Sequence, residues 1–482
     1  MTLMKTINCF KAYDVRGQLG TELNEDIAYR IARAFAQHIK ASSVAVGCDN
    51  RLSSPALKQA VTQGLLDQGC DVIDLGMTGT EQVYYAAMTK QIDGGIQITA
   101  SHNPIDYNGL KFIGRRAKPL STADDFPMIR QIAEQSLFKP SLKKGTLSDH
   151  SILDSYLEHL LSYINISDIQ PLKIVTNPGH GCAGHVIDAL EKTCQEQSIP
   201  IEFIKIYHDP DGHFPAGIPN PLLPENRSQT AQAVLDHSAD CGIAWDGDFD
   251  RCFLFDEQGQ FIEGYYIVGL LAQAFLKKHH GQTIIHDPRL IWNTQHIAAS
   301  LGGRTVQAPC GHTFIKALMR HHDAVYGGEM SAHHYFRDFA YCDSGMIPWL
   351  LIIELMSQQR ASLSSLVSEC IQQFPCSGEV NYRVTSPQQA IDSVLCHFEK
   401  APDLLHIDLS DGLSMTFDEW RFNLRASQTE PLLRLNVESR GSQELVAKML
   451  TLVESVISQY RYFVQDLPDR NCPLVDETVS TL

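Results

Sequence analysis

The chain has 482 residues, a length that predicts about three domains and allows four. Lys and Arg total 39 against 56 Asp and Glu, and the resulting net charge of −17 disfavours binding to nucleic-acid backbones and to anionic membranes. Apolar residues make up 44% and charged residues 20%, which is typical of a globular protein and excludes a disordered or fibrous one.

Cysteine use and hydropathy favour a cytoplasmic protein. The 13 cysteines are scattered without CxxC pairs, and the first residues contain no apolar signal core. The longest apolar stretch, from Ile347 to Met356, includes Glu354 and is too short to cross a bilayer. We therefore expect reduced thiols and no membrane span.

The first part of the chain alternates helix and strand patterns. Apolar spacing predicts a helix from Asn24 to Lys40, followed by the buried strand of SVAVGCDNR. A second helix from Ser54 to Gln68, a strand from Cys70 to Gly76 and a helix from Glu81 to Gln91 follow. This order predicts a wound α/β layer.

Three segments of the chain resemble one another weakly. They begin at Asp93 (DGGIQIT), Asp240 (DCGIAWD) and Asp323 (DAVYGGE), and each follows a helical pattern. The loops after them read TASHNP, DGDFDR and EMSAHH. Ligand groups in open α/β sheets gather beyond the carboxyl ends of strands, so three related units would each contribute one loop to a common cleft.

Changes in composition predict the domain boundaries. The clearest linker runs from Leu137 to Ser151, and a tight turn at DEQG marks a weaker break near Gly259. After Ser377 the pattern becomes strand, helix, several strands and a final helix. We expect three related mixed α/β domains around a cleft plus a C-terminal α+β domain, with boundaries at 1–150, 151–256, 257–376 and 377–482.

The TASHNP loop places Ser101 just after a predicted strand. Pro104 prevents the chain from continuing directly as a helix, so the loop can present the serine hydroxyl. An ordinary Ser/Asn/Pro turn is the alternative. A serine hydrolase is disfavoured because no GxSxG elbow is present.

The DGDFDR loop concentrates negative charge. Asp246, Asp248 and Asp250 stand at alternate positions, an arrangement that favours a hard cation such as Mg²⁺ over a solvated acidic turn. An EF-hand loop fails because its sixth position, which needs glycine, is Arg251.

Two further segments carry polar groups suited to sugar phosphates. Glu329, Ser331 and His333 follow a glycine pair and could bind sugar hydroxyls, with a strand-end turn as the alternative. Arg425 begins an RASQTEP segment in an acidic chain. If that segment is a strand, Arg425, Ser427 and Thr429 share one face and could bind a phosphate. Solvated sheet-face arginines are the alternative.

Together these loops resemble the α-D-phosphohexomutase family, from Tyr13 to Arg440. The segments that carry the resemblance are FKAYDVRG, ITASHNPIDYNGLK, DGDFDR, HDPRLIWNT and GGEMSAHHYF. They are most similar to those of the bacterial members that act in GDP-mannose and polysaccharide synthesis. The resemblance implies interconversion of mannose 6-phosphate and mannose 1-phosphate through a phosphoserine enzyme and a hexose 1,6-bisphosphate, which also serves as activator.

The resemblance also implies roles for individual residues. Ser101 would be phosphorylated, and its phosphate would hold Mg²⁺ together with Asp246, Asp248 and Asp250. The remaining catalytic residues would be Arg16, Lys111, Arg251 and His333, of which Lys111 and His333 would transfer protons and the arginines neutralise charge. The implied substrate-binding residues are Tyr13, His102, Arg289, Gly311, His312, Glu329, Ser331, Arg425, Ser427, Gln428 and Thr429.

Some positions depart from the family pattern. Gln428 stands where asparagine is usual, which changes the reach of one phosphate donor. GCDNR (47–51) replaces a glycine-rich stretch and His180 replaces an asparagine, and we expect neither to touch the chemistry.

Other functions remain open at this stage. The first is phosphoglucomutase or dual phosphohexomutase activity, because selection at the sugar 2-hydroxyl cannot be read from one loop. A metal-dependent sugar phosphatase and a non-catalytic sugar-phosphate binder are less favoured. We expect hexose phosphates as ligands, Mg²⁺ as the metal, no nucleic-acid or membrane partner, and a monomer or a dimer.

Overall fold

The structure is a computed structural model that describes residues 6–427 and 432–461. The described residues form two compact units. The first comprises residues up to Asp287 and from Ile291 to Cys370, and the second comprises Pro288–Leu290 and the chain from Ile371 onward.

The first unit begins with a six-stranded sheet. Its strands are β1 (Val15–Gln18), β2 (Ser43–Cys48), β3 (Asp71–Met77), β4 (Gly94–Ile98), β5 (Tyr107–Gly114) and β6 (Leu147–Asp149), in the order β1-β5-β4-β2-β3-β6. The helices of this layer are α1 (Glu25–Ile39), α2 (Ser54–Asp67), α3 (Thr80–Thr89) and α4 (Asp125–Gln135). Asn24 caps α1 by accepting a hydrogen bond from the Ile27 amide at 2.9 Å, and the buried face of α1 includes Ile31 and Phe35 as the apolar spacing predicts.

Two smaller sheets follow in the same unit. The second sheet contains β7 (Leu172–Asn177), β8 (Ile201–Lys205), β9 (Cys241–Trp245) and β10 (Cys252–Phe255), in the order β10-β9-β7-β8. Its helices are α5 (Leu153–Leu161), α6 (Gly184–Glu196) and α7 (Ser228–His237).

The third sheet contains β11 (Thr283–His286), β12 (Arg304–Gln307), β13 (Tyr326–Gly328), β14 (His334–Phe336) and β15 (Cys342–Asp343), in the order β12-β11-β13-β14-β15. Its helices are α8 (Gly264–Lys278), α9 (Trp292–Ser300), α10 (His312–His322) and α11 (Ile347–Gln359). Helix α12 (Leu363–Gln373) leads the chain out of the first unit.

The three sheets share one topological feature. In each, a strand with a parallel neighbour is followed by an antiparallel partner: β4 by β5, β9 by β10 and β13 by β14. The loops inside these pairs are the three polar loops that follow the resembling segments of the sequence. The expectation of three related mixed α/β domains is therefore confirmed, whereas the boundary positions at 150, 256 and 376 stay a prediction.

The second unit is built on an antiparallel sheet. Its strands are β16 (Cys376–Arg383), β17 (Leu404–Asp408), β18 (Leu413–Phe417), β19 (Trp420–Ala426) and β20 (Leu432–Ser439), in the order β16-β20-β19-β18-β17. Helices α13 (Pro387–Phe398) and α14 (Gln443–Ile457) complete it. Apolar residues of this sheet and both helices, among them Val394, Phe422 and Val453, form one core. This is the C-terminal α+β domain that the sequence predicts.

No helix within the described residues is long and apolar enough to cross a membrane. The apolar stretch that contains Glu354 is the buried helix α11. The Glu354 carboxylate accepts hydrogen bonds from the Asn165 amide at 2.7 Å and from Lys278 Nζ at 2.6 Å, which offsets the cost of burying its charge.

Candidate active site

Ser101 lies in the loop between β4 and β5, and it is 5% exposed. Its backbone is left-handed, with φ of 49°, and its amide donates to Thr99 Oγ1 at 2.8 Å. This conformation directs Ser101 Oγ toward Asp246, where it donates to Oδ2 at 2.8 Å. His102 Nδ1 lies 3.0 Å from the same hydroxyl.

The aspartates of the loop between β9 and β10 form a buried cluster. Asp246, Asp248 and Asp250 are each at most 2% exposed, and their carboxylate oxygens lie within 4.8 Å of one another. This loop also packs on the serine loop, because a Cβ on Gly247 would stand 2.7 Å from the Ser101 carbonyl oxygen. The first two polar loops of the sequence therefore meet.

Cations surround the three carboxylates. Lys111 Nζ lies 2.7 Å from Asp248 Oδ2 and 2.5 Å from Asp250 Oδ2, and Arg251 binds Asp246 Oδ2 through Nη2 at 2.7 Å and Nε at 3.0 Å. Burial raises the pKa of Asp250, and the neighbouring Asp248 adds to that effect. Burial would also raise the pKa of Asp248, but the charges of Lys111 and Arg16 hold it well below its usual range.

The aspartate cluster can hold a hard cation. Asp248 Oδ1 and Asp250 Oδ1 are buried and accept no hydrogen bond from a described residue, so each has an oxygen available as a ligand. All the donors are carboxylate or hydroxyl oxygens, which suit Mg²⁺. The residues present therefore fit the metal that the sequence predicts.

The third loop contributes His333, whose Nδ1 lies 3.2 Å from Asp343 Oδ2. His333, Asp250 and Asp343 have ligand atoms within 4.8 Å of one another, so the third loop reaches the aspartates as well. Burial alone would lower the pKa of His333, but Asp250 and Asp343 raise it above its ordinary value. Behind His333, Lys316 Nζ forms a buried ion pair with Asp343 Oδ1 at 2.6 Å.

A cavity of 230 Å³ opens in front of these groups. Its lining residues are Tyr13, Asp14, Arg16, Tyr84, Ser101, His102, Asn103, Lys111, Phe112, Asp250, Arg251, His312, His333 and Asp343. All five residues that the sequence assigns to catalysis are in this set. The cavity therefore presents a nucleophilic hydroxyl, carboxylates, three basic side chains and imidazoles to a small polar ligand.

Glu329 and Ser331 do not line this cavity. The Glu329 carboxylate instead accepts hydrogen bonds from the Gly311 amide at 3.0 Å and from the Tyr335 hydroxyl at 2.6 Å. Glu329 thus holds the 310–312 turn, where Gly311 has a φ of 122° that favours glycine.

The second unit contains a separate cluster of arginines around Glu379. Arg289 Nη1, Arg425 Nη2 and Arg434 Nη1 lie 3.4, 3.3 and 3.5 Å from its carboxylate oxygens. Arg425 and Arg434 face each other directly across β19 and β20, a like-charge pair that is unfavourable without an anion. Asp411 Oδ2 also lies 4.0 Å from Arg425 Nη1, so the five charges sum to 3 − 2 = +1, a positive charge that favours an anion such as phosphate.

Arg421 explains why residues 288–290 belong to the second unit. Its guanidinium donates to the carbonyl oxygens of Arg289 at 2.8 Å and Pro288 at 2.9 Å, and it pairs with buried Glu438 at 2.8 Å. These bonds place the Arg289 side chain beside Glu379.

The predicted phosphate segment is only partly a strand. Strand β19 ends at Ala426, so Ser427 follows the strand and the expected alternation does not extend beyond Arg425. Gln428 and Thr429 lie outside the described residues.

Sequence reasoning missed several residues that support the site. Thr80, the first residue of α3, donates its hydroxyl to Asp248 Oδ2 and its amide to the Asp248 carbonyl oxygen at 3.1 Å. Lys316 belongs to no recognised motif, and no role was assigned to its partner Asp343. Arg51 of the GCDNR stretch contacts the serine loop by donating to the Ser101 carbonyl oxygen, although it does not line the cavity. The available signal for Arg51 was its place in the polar stretch that follows a buried strand, three residues after Cys48.

Comparison with known proteins places the chain in a family. Models of phosphoglucomutase/phosphomannomutase α/β/α domains I, II and III match residues 8–139, 154–259 and 263–374, and the model of the C-terminal domain matches residues 379–454. The chain belongs to the phosphoglucomutase/phosphomannomutase family. The expected family, and with it an enzyme of the phosphohexomutase class, are confirmed.

Two curated relatives illustrate the range of names in the family. A phosphomannomutase of Salmonella typhimurium is 55% identical over 95% of this chain and all of its own length. A Xanthomonas campestris protein named phosphohexose mutases is 52% identical over 92% of this chain and 97% of its own.

Solved structures share the fold. A phosphoglucomutase/phosphomannomutase family protein from Burkholderia thailandensis superimposes with a TM-score of 0.83 at 28% identity, over 94% of this chain and 97% of that one. An Aspergillus fumigatus N-acetylphosphoglucosamine mutase, solved with GlcNAc-6P and magnesium, has a TM-score of 0.60 at 12% identity over 94% and 96%. A variant of the same Aspergillus enzyme was solved with glucose 1,6-bisphosphate.

Proposed function

We propose that this protein interconverts mannose 6-phosphate and mannose 1-phosphate through a phosphorylated Ser101 and a hexose 1,6-bisphosphate. The observation that carries the proposal is the 2.8 Å hydrogen bond between Ser101 Oγ and Asp246 beside two further buried carboxylates. A non-catalytic binder would not need a hydroxyl held at such a cluster, whereas a phosphatase that forms a phosphoserine would, so product analysis must separate the mutase from the phosphatase. The relative named phosphomannomutase, at 55% identity, supports the choice of mannose.

Phosphoryl transfer breaks the bond between phosphorus and Ser101 Oγ and forms a bond to a sugar hydroxyl oxygen. The sugar O1 attacks when mannose 6-phosphate is bound, and O6 attacks when mannose 1-phosphate is bound. The bisphosphate then reorients and returns its other phosphate to Ser101. Phosphate is neither gained nor lost, so the net reaction is an isomerisation.

Proton transfer is assigned to His333 rather than to Lys111. Lys111 Nζ lies against the carboxylates of Asp248 and Asp250, which outweigh burial and raise its pKa, so we assign it the role of a fixed cation. His333 lines the cavity and is oriented by Asp343, so its imidazole accepts the proton of the attacking hydroxyl. Arg16 and Arg251 line the same cavity and stabilise negative charge on the transferred group.

Asp246, Asp248, Asp250 and the phosphoserine would hold Mg²⁺. A phosphoserine adds about 1.5 to 2 negative charges beside three carboxylates. Lys111 and Arg251 pair with the three carboxylates, and the charge that a phosphoserine adds would exceed what these two cations offset, which favours a further cation. When bound, Mg²⁺ offsets this repulsion and stabilises charge on the phosphoryl group.

Substrate binding is proposed for two sets of residues. Tyr13, His102, Gly311 and His312 would contact the sugar phosphate near the cavity, and Glu329 and Ser331 would bind sugar hydroxyls. Arg289, Arg425, Ser427, Gln428 and Thr429 would bind the phosphate that is not transferred. We further propose that the product supplies GDP-mannose for polysaccharide synthesis.

The test is an incubation of the protein with mannose 1-phosphate, Mg²⁺ and a trace of hexose 1,6-bisphosphate. We expect mannose 6-phosphate and no free phosphate, and intact-mass analysis should show one phosphate on the wild type and none on the matched Ser101→Ala variant. Release of inorganic phosphate would identify a phosphatase, and a Ser101→Ala variant with wild-type turnover would overturn the proposal.

A second candidate is a dual phosphohexomutase. The relative named phosphohexose mutases, at 52% identity, favours it. A parallel incubation with glucose 1-phosphate separates the two, because a mannose-specific enzyme gives far lower kcat/KM with glucose 1-phosphate.

A further inference from the structure

Arg51 lies between β2 and α2 and sends its side chain under the serine loop. The residue is 1% exposed. Its Nη1 donates to the carbonyl oxygens of Pro104 at 2.8 Å and Tyr107 at 3.1 Å, and its Nη2 donates to those of Ser101 at 2.8 Å and Asn103 at 2.6 Å. One guanidinium therefore binds four carbonyl groups of the loop that presents Ser101.

The chemistry of this contact is specific for arginine. The two terminal nitrogens of a guanidinium carry four N–H groups in a fixed plane, and here each has its own carbonyl acceptor. A lysine ammonium has three donors on one nitrogen and cannot span the same four oxygens. Asp49 Oδ2, 3.6 Å from Arg51 Nε, supplies a nearby opposite charge.

The loop needs such support for two physical reasons. Ser101 adopts a left-handed backbone, with φ of 49°, which is unfavourable for a non-glycine residue. Its hydroxyl also gains and loses about 1.5 to 2 negative charges in each catalytic cycle, which changes the forces on the loop. A rigid support below the carbonyl groups keeps Oγ aimed at Asp246 in both states.

We propose that Arg51 is a positioning residue for phosphoryl transfer, which holds the 101–107 loop so that Ser101 faces the aspartates and the cavity. This inference rests on the proposed function of Ser101. Arg51 does not line the cavity and contacts the loop on its carbonyl side, so it acts through Ser101 and not on the substrate.

Arg51→Lys tests the proposal, and Arg227→Lys is its matched control. Arg227 also donates to loop carbonyl groups, from Nε to Pro221 at 3.0 Å and from Nη2 to Leu222 at 2.7 Å, but that loop contains no cavity residue. We expect Arg51→Lys to lower kcat roughly 100-fold, the size expected for a displaced reacting group, with KM for mannose 1-phosphate unchanged. Arg227→Lys should keep the wild-type kcat.

Hydrogen exchange of the amides from 101 to 107, followed by mass spectrometry, gives a readout that does not depend on activity. Exchange should be faster in Arg51→Lys than in the wild type and unchanged in Arg227→Lys. Wild-type kcat in a folded Arg51→Lys protein, or a kcat loss shared by Arg227→Lys, overturns the proposal. The wild type alone provides a further test: if the amides of residues 101–107 exchange as fast as those of the 121–124 turn, the proposal is overturned. This measurement does not depend on whether Arg51→Lys folds.

The outcomes also separate this inference from the proposed function. If the wild type never becomes phosphorylated at Ser101 but Arg51→Lys loosens the loop, the function is wrong and the support by Arg51 is real. If the wild type is phosphorylated and active, and Arg51→Lys equals it in kcat and exchange, only this inference fails.

Discussion

Lys111 Nζ lies 2.5 Å from Asp250 Oδ2 in the candidate active site. The same ammonium is 2.7 Å from Asp248, so one lysine compensates two of the three carboxylates that would hold the metal. Lys111 and a metal ion therefore act on the same negative charge, and their effects on it can be separated by mutation.

We expect Lys111→Met to bind Mg²⁺ more tightly and to turn over more slowly. Removing the ammonium leaves the carboxylates with one more uncompensated negative charge, which favours a dication by on the order of 10-fold, or about 1.4 kcal/mol. The transferred phosphoryl group loses a fixed cation at the same time, so kcat falls. Calorimetric titration with Mg²⁺ and steady-state kinetics measure the two effects.

Lys192→Met is the control for this prediction. Lys192 is an exposed helix residue whose ion pair with Glu196 is 3.8 Å long, so both constants should stay at their wild-type values. Weaker Mg²⁺ binding by Lys111→Met would mean that Lys111 organises the carboxylates instead of competing for them.

Asp248→Asn should abolish activity while the protein remains folded. Asp248 Oδ2 already binds Thr80 and Lys111, so the metal depends on Oδ1, and an amide oxygen is a much weaker ligand for a hard dication. Excess chelator should inactivate the wild type in the same way, and added Mg²⁺ should restore it.

Asp256→Asn is the matched control for the metal prediction. Asp256 is also buried, and its Oδ1 accepts hydrogen bonds from the Gln258 and Gln260 amides, which an asparagine oxygen can still accept. This variant should retain activity. Full activity of the wild type in chelator would remove the metal from the mechanism.

The sequence predicts the three loops because their signal is local. A buried strand followed at once by polar residues identifies TASHNP, DGDFDR and EMSAHH, and the carboxyl ends of such strands bring the loops together. The predicted bounds of helices and strands also agree closely with the observed ones. The sequence predicts a strand from Cys70 to Gly76, and β3 runs from Asp71 to Met77. Hydrophobic periodicity carries this information without knowledge of the packing.

The supporting residues could not be found in the same way. Thr80 meets Asp248 across 168 residues of sequence, and Lys316 meets Asp343 only after α10 packs beneath the third loop. Neither contact leaves a local pattern, because the packing of helices on sheets decides it. The association of residues 288–290 with the second unit is equally nonlocal, since it depends on Arg421 binding their carbonyl groups.

Glu379→Gln should destabilise the second unit in a pH-dependent way. Burial would raise the pKa of Glu379, but Arg289, Arg425 and Arg434 outweigh it and hold the pKa below its ordinary value. The stabilisation is thus present above the unfolded pKa of about 4.3 and is lost as the pH falls through the lower folded value. At pH 7 we expect a loss of about 1 to 3 kcal/mol.

Hydrogen exchange of β16 and β20 between pH 4 and 7 measures the effect of Glu379→Gln within this unit. The difference from the wild type should be largest near neutral pH and should shrink toward pH 4. Glu399→Gln, an exposed change in the same unit, should show no difference at any pH. A difference that grows as the pH falls would contradict the sign derived from the arginines.

Arg425→Ala should weaken the binding of both monophosphates and leave other steps intact. Arg425 faces Arg434 across the sheet, and this paired positive charge suits a phosphate that stays bound in either orientation of the intermediate. A charge-assisted contact contributes about 1.5 to 3 kcal/mol, so affinity should fall roughly 10- to 150-fold for mannose 1-phosphate and mannose 6-phosphate alike. Any weak binding of free mannose should not change, and Ser101 should still be phosphorylated by excess bisphosphate because Ser101 belongs to the first unit.

Calorimetry with mannose 1-phosphate, mannose 6-phosphate and free mannose measures the effect of Arg425→Ala. Arg383→Ala is the control, because Arg383 is exposed on the same sheet. An equal loss for free mannose, or none for either monophosphate, would show that Arg425 is only a solvated arginine of the sheet.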